Sequence, residues 1–403
     1  MTTLALRSGS ARGPAVAGPL LRGPLPAWFA LFGNVLAFLY PTPLVPIPTA
    51  LGQLIAQGML PLALVLALLA NPGAVIRPNL FLILMTAMAV VALMVSIHNE
   101  FVFGSTFRAV RLLTFILGLW LLTPWWGKPD LPLLRAHLMC LRVVLVTVLI
   151  GFVVAPGAAI SPEGRLRGAL WPIPPTQVAH YAAVLLGCTI VLWFAGVVTG
   201  RSTLITLVLV GAALLEAHTR TALVAMLVGL AVAGASLFVG HARVRRTTVV
   251  VTTISVVGWT VFAPLILSWA SRGQTAEEAS QLTGRTKVWS AVFRLERTWA
   301  GDFFGNGLAN KSFNGLPIDS NWVATYLEQG LFGMGIEVAL MLVLLLMAVT
   351  RPRGPRRALG LFLVAYCLVA SFTETGLGDA SPYLLELTVA ASLLTLPAPT
   401  GRG

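Results

Sequence analysis

From Leu80 to Ser96 the chain carries no charged residue, and stretches like it recur from one end to the other. An α-helix needs about 20 apolar residues to cross a bilayer. A chain built of such runs is expected to be all-α and to pass the membrane many times. The composition agrees: of 403 residues 57% are hydrophobic and 10% charged, with a mean hydropathy of +0.87. A soluble protein carries about 25% charged residues.

Applied along the chain, the length criterion predicts about twelve spans: 28–45, 50–70, 79–98, 105–125, 131–154, 177–198, 202–217, 219–240, 247–269, 322–350, 357–374 and 381–397. The first is interrupted by Pro41, Pro43, Pro46 and Pro48, and the fourth carries Arg108 and Arg111, so it is expected to be partly re-entrant or to face a cavity. Residues 1–27 read as a flexible cytoplasmic tail without a cleavable signal, and 398–403 as a second tail. Spans one to nine occupy 28–269 and spans ten to twelve 322–397. The segment between them, 270–321, is expected to be a long extracytoplasmic loop containing short helices.

The net charge of +13 would suit a nucleic-acid partner, but its placement argues against one. With the N-terminus inside, Arg77, Lys128, Arg135, Arg201, the Arg243–Arg246 cluster and the Arg351–Arg357 cluster all fall in cytoplasmic loops. This is the positive-inside pattern. The chain has three cysteines, Cys140, Cys188 and Cys367, all in apolar runs and without zinc or redox spacing; they read as inert buried thiols.

The exceptions to the pattern stand on the other face. Arg165 and Arg167 lie in the loop 155–176. Arg220 lies at the tight turn His218-Thr219-Arg220-Thr221. An ionisable residue at membrane depth marks a functional site by default; pairing with Glu216 or reaching to the headgroups is the bland alternative. The remaining exceptions, Arg285 and Lys287 among them, fall in the long insert, which escapes the charge rule. There Lys287 to Arg297 has helical spacing and reads as an amphipathic helix on the membrane surface, and Gly305, Gly307 and Gly315 mark turns.

Several guanidiniums on one membrane face suit an anionic ligand, since Arg binds phosphate bidentately and stays charged when desolvated. No DxD, HExxH or Cys/His cluster accompanies them. A pyrophosphate leaving group would then be stabilised by arginine, and a carboxylate would serve as base for an incoming hydroxyl. Asp319 stands just before an apolar span and fits that role; helix N-capping by Asp319 or Ser320 fits the same position.

Taken in order, Arg165-Leu166-Arg167-Gly168, Thr219-Arg220-Thr221-Ala222, Thr283-Gly284-Arg285 with Trp289, Gly305-Asn306-Gly307, and Asp319-Ser320-Asn321-Trp322 with Glu328, Gly330 and Gly333 form a series. The series resembles the motifs of the O-antigen ligase and O-antigen polymerase family of bacterial membrane glycosyltransferases. Ligases of that family place His where Asp319 stands and Asn where Ser320 stands, so a carboxylate replaces the imidazole here.

The resemblance implies a multi-pass protein of the bacterial cytoplasmic membrane with its active site on the extracytoplasmic side. Such enzymes move a glycan from a polyprenyl pyrophosphate to a hydroxyl of an acceptor glycan or glycolipid, with inversion and without metal or other cofactor. Carried over, Arg220 and Arg285 hold the pyrophosphate with help from Arg165 or Arg167, and Asp319 deprotonates or orients the hydroxyl. Lys287, Ser320, Asn321 and Trp322 complete the substrate-binding set. His218 supports Arg220 or substitutes as base, and Glu328, Gly330 and Gly333 are structural. The partners implied are the lipid-linked donor, the acceptor and membrane lipids.

A different class remains open on the residues alone: a transporter or flippase for an anionic polyprenyl-linked lipid. Transporters place charges near the midplane and show inverted repeats; here the charges gather on one face and no repeat is visible.

Overall fold

The computed structural model describes residues 23–38, 44, 47–98, 101–250, 253, 263–264, 285–309 and 311–396. Most of the expected tails, most of the ninth expected span and the insert residues 270–284, including Thr283 and Gly284, lie outside the described residues.

The chain is helical almost throughout. In order it forms α1 (Leu25–Val35), α2 (Thr49–Ala70), α3 (Leu80–Ser96), α4 (Val102–Leu121), α5 (Pro132–Val154), α6 (Pro156–Ala159), α7 (Pro175–Phe194), α8 (Gly200–Glu216) and α9 (Arg220–Leu237). After the undescribed segment come α10 (Arg285–Phe293), α11 (Trp299–Phe304), a hairpin of β1 (Ser312–Phe313) and β2 (Leu316–Pro317), α12 (Asn321–Thr350), α13 (Pro355–Ala370) and α14 (Pro382–Leu394). Prolines open α5, α7, α13 and α14, where a missing N–H costs nothing. Asn79 and Ser381 cap α3 and α14 by accepting backbone N–H bonds.

Among the described residues six helices are long and apolar enough to cross a membrane: α2, α4, α5, α7, α9 and α12. Outward faces of α2, α5 and α8 carry exposed Leu54, Val146, Leu204 and Val208, a surface that suits lipid. Helix ends differ from the expected spans. The described helix of the first span stops at Val35, and the span expected over 357–374 stops at Ala370. The fourth is continuous, and its charges turn inward: Arg111 donates to the Asn34 side chain at 3.2 Å and Arg108 to the Ala309 carbonyl.

Lipid offers no hydrophobic drive for helix association, so close packing must supply it. α13 packs against α9, α7 and α14. A Cβ at Gly187 of α7 or Gly229 of α9 would run into the ring of Phe362 on α13, so these two glycines form the slot that lets three helices close around one aromatic side chain.

α12 is one apolar run with a break. Gly330 adopts φ 64° and ψ −164°, so the helix stops and restarts there. The second stretch, Leu331–Thr350, is long enough to cross the hydrocarbon at ~1.5 Å per residue. The break releases the carbonyls of Leu327 and Glu328. Asn306 N–H takes the first at 3.1 Å and Gly307 N–H the second at 2.9 Å. Orphan carbonyls at this depth need partners, and the Gly305-Asn306-Gly307 turn provides them. A Cβ on Gly330 would come within 2.5 Å of the Phe303 carbonyl and the Gly305 nitrogen, so the two glycine backbones lie directly against each other. The Glu328 carboxylate finishes the joint by accepting from Ala309 N–H at 2.9 Å and Lys311 N–H at 3.2 Å. Beyond it, Asn314-Gly315 is the two-residue loop of the hairpin, both with positive φ.

Candidate functional site

The expected site residues gather at one end of the bundle, around the turn 371–374 that follows α13. Three elements meet there. The loop before α7 brings Arg165. Its Nε donates to the Ala217 carbonyl at 3.1 Å and its Nη2 to the Thr219 hydroxyl at 2.9 Å, so it clasps the α8–α9 turn. Leu166 N–H adds a bond to the Glu216 carbonyl at 2.9 Å. The turn is tight because His218 takes φ 48°. Arg220 follows as the first residue of α9, half-buried, with Thr219 bound to Arg165 on one side and Thr221 bound to Thr373 at 2.7 Å on the other.

The third element is the insert. Arg285 opens α10, whose Val288 and Val292 are buried against Ile318 just before α12 and against Val323 and Leu327 within it. That packing sets Arg285 Nε 3.2 Å from Asp319 Oδ2, both partly exposed. The helix ends at Phe293, before the Arg297 expected from its spacing, because Leu295 to Thr298 leave helical geometry ahead of α11. α12 starts at Asn321 as the capping reading requires, yet the Ser320 side chain makes no capping bond.

The other expected residues make the following contacts. The Arg167 Nε donates to the Ala158 carbonyl at 3.0 Å, within its own loop. Lys287 is exposed on α10. The Nδ1 of His218 lies 2.8 Å from the Glu216 carbonyl. Asn321 is buried, with its amide used inside: its Oδ1 accepts from Gly376 and Leu377 N–H, and its Nδ2 donates to Glu337 at 2.6 Å. Trp322 donates from Nε1 to the Ser371 hydroxyl at 3.0 Å, which ties α12 to the turn 371–374. Glu328, Gly330 and Gly333 belong to the joint in α12, where Gly333 makes room for Gln329 and Thr325.

Sequence reasoning passed over Glu374. It lies on the turn, half-buried, within electrostatic reach of Arg285, Asp319, His180 and Arg165. Burial pushes its carboxyl up to about 7; Arg285, His180 and Arg165 oppose the rise and Asp319 adds to it. The expected span 357–374 had absorbed this residue into the membrane. A carboxylate directly after the apolar run 358–372, in Thr373-Glu374-Thr375, is the signal that points to it.

Two further features lie outside the arginine cluster. A cleft of about 1020 Å³ between the end of α3 and α11 is walled mainly by apolar side chains, and none of the candidate arginines lines it. Deep in the bundle, His180 Nε2 is 2.7 Å from Glu386 Oε1, His137 Nε2 is 4.0 Å from the same oxygen, and His180 Nδ1 is 3.0 Å from the Tyr366 hydroxyl.

No protein-family model matches the chain, and no curated protein matches it in sequence. The family resemblance therefore stands on the quoted motifs alone.

Proposed function

We propose that the chain is a metal-independent, inverting glycosyltransferase of a bacterial cytoplasmic membrane, with about twelve spans and both termini inside. Its site lies on the extracytoplasmic face. The donor is a glycan on a polyprenyl pyrophosphate, and the acceptor a hydroxyl of a second glycan or glycolipid. The observation that carries the reading is the convergence of Arg165, Arg220 and the Arg285–Asp319 pair at one end of the bundle. Guanidiniums there offset the charge that grows on a departing pyrophosphate. Asp319 beside them orients or deprotonates the attacking hydroxyl.

The test is a profile of envelope polysaccharide from a deletion host complemented with wild type, Asp319→Asn or Arg285→Ala. Accumulation of single-repeat lipid-linked units in the variants assigns a polymerase. Full-length glycan retained on its polyprenyl carrier assigns a ligase. An unchanged profile rejects transfer.

One observation favours a second reading. The His137–Glu386–His180 group lies inside the bundle, where transporters and flippases hold their ionisable residues. Proteoliposomes in which Glu386→Gln stops lipid translocation would select that reading.

A further inference from the structure

The proposed transfer needs a group to take the acceptor's proton, and Asp319 is already engaged, with Oδ2 3.2 Å from Arg285 Nε. A carboxylate oxygen held by a guanidinium in this way has less freedom to receive an incoming hydroxyl. Glu374 offers a second carboxylate at the same place. Its turn is tethered on both sides. The Ser371 carbonyl accepts Asn321 N–H at 2.9 Å and the Ser371 hydroxyl accepts Trp322 Nε1–H at 3.0 Å, which fixes the turn beside Asp319. The Thr373 hydroxyl meets that of Thr221 at 2.7 Å, which fixes it beside Arg220. Glu374 N–H closes on the Ala370 carbonyl at 2.9 Å. The residue is thus held between the two arginine-bearing elements by its own backbone.

We infer that Glu374 is the catalytic base that accepts the proton of the acceptor hydroxyl, while Asp319 is a positioning residue that holds Arg285 against the pyrophosphate. The inference rests on the transfer reading above. In the step, the acceptor oxygen forms its bond to the anomeric carbon as its proton passes to a Glu374 carboxylate oxygen. The bond from the anomeric carbon to the pyrophosphate oxygen breaks, and its electron pair leaves with the polyprenyl pyrophosphate, whose charge the guanidiniums hold. Glu374 then returns its proton to water.

The charged and titratable groups facing Glu374 come from every side: Arg165 from the loop before α7, His180 from α7, Arg285 from α10, Asp319 from the lead into α12, Tyr366 from α13 and Tyr383 from α14. A carboxyl poised close to neutrality in this setting matches the working range of a general base. Glu374 also accepts no side-chain or backbone hydrogen bond among the described residues, so its lone pairs are available to a hydroxyl.

The experiment uses the full chain in lipid nanodiscs. Lipid-linked glycan purified from the deletion host is the donor, membranes of the same host carry the acceptor, and release of undecaprenyl pyrophosphate is followed from about pH 5 to about pH 9. Wild-type turnover should rise with pH through about 7. Glu374→Gln should lower turnover about 100-fold or more and flatten the rise, while binding undecaprenyl pyrophosphate no more weakly than wild type. Glu374→Asp should keep the rise with a displaced midpoint. A Glu374→Gln protein that keeps the wild-type rate, or a rise that vanishes in Asp319→Asn and survives in Glu374→Gln, overturns the assignment. If Glu374→Gln does not purify as a monodisperse protein, an unshifted midpoint in Glu374→Asp overturns it instead. Absence of turnover in wild type rejects the transfer reading itself, a result distinct from wild-type activity that Glu374→Gln leaves intact.

Discussion

Two regions at the start of α12 use polar residues in opposite ways. Around Gly330 the polar groups close on one another. The carbonyls of Leu327 and Glu328 take N–H groups from Asn306 and Gly307, the Glu328 carboxylate takes two more, and Lys311 pairs with Asp379 at 3.1 Å. Around the turn 371–374 Arg165, Arg220 and Arg285 are only partly buried, as are Asp319 and Glu374, and Glu163 also faces Arg165 from the loop before α7. A saturated network specifies shape. A cluster of partly exposed guanidiniums keeps N–H donors within reach of an anion. The motif residues therefore divide into a joint and a site, although they follow one another closely in sequence.

The sharpest way to break this division is Gly330→Ala. Its backbone lies in a region open essentially to glycine alone, and a Cβ would strike the Phe303 carbonyl and Gly305 nitrogen. The strain of the backbone alone is about 3 kcal/mol, so the variant should lose its cooperative thermal transition. A variant that melts like wild type would show that the joint is pliable. On the site side, Arg220→Ala and Arg285→Ala should each weaken undecaprenyl pyrophosphate binding by about 10- to 100-fold, the scale of one charge-assisted hydrogen bond, and leave the melting temperature nearly unchanged. Unchanged affinity in both removes the anion site. Glu328→Gln comes next. It keeps the shape and one oxygen that can accept from both N–H groups, and weaker acceptance there should cost about 1 kcal/mol. That loss should appear in the melting temperature and leave donor affinity alone.

Much of this was legible before the structure. Apolar runs located most of the helices, because a run of that length leaves the backbone no other way to pair. The order of motifs brought Arg165, Arg220, Arg285 and Asp319 to one end of the bundle. Helix ends were read less well, since hydropathy does not register where packing stops a helix. That error carried Glu374 into a span that ends at Ala370. The internal bonds of Asn321 and Trp322, to Glu337, the Gly376–Leu377 turn and Ser371, are tertiary contacts that no motif registers. The partnership between Gly305-Asn306-Gly307 and the Glu328-to-Gly330 break is a tertiary contact between segments that look independent in sequence. Glycine spacing could mark each as a turn and could not reveal that each satisfies the other.

The smallest effect separates the two regions by pH, through two carboxylates on the same loop. Burial raises Asp379, but Lys311, Arg111 and Arg108 outweigh it and hold the group below its ordinary 3.8. Burial raises Glu374 to about 7 from an ordinary 4.5, because Arg285, His180 and Arg165 only partly offset it. A depressed carboxyl gives stability that is present above its unfolded value and lost as pH falls through the folded one. A raised carboxyl gives stability that is present below its unfolded value and lost as pH rises through the folded one. Between about pH 5 and about pH 8 only Glu374 changes charge of the two, so the melting temperature should fall by a few degrees over that range. Glu374→Gln should make the slope shallower, and Asp379→Asn should lower the whole curve and keep the slope. If the slope in Glu374→Gln equals that of wild type, Glu374 does not change charge over this range, and the contrast between a closed joint and a proton-exchanging site loses its carboxylate.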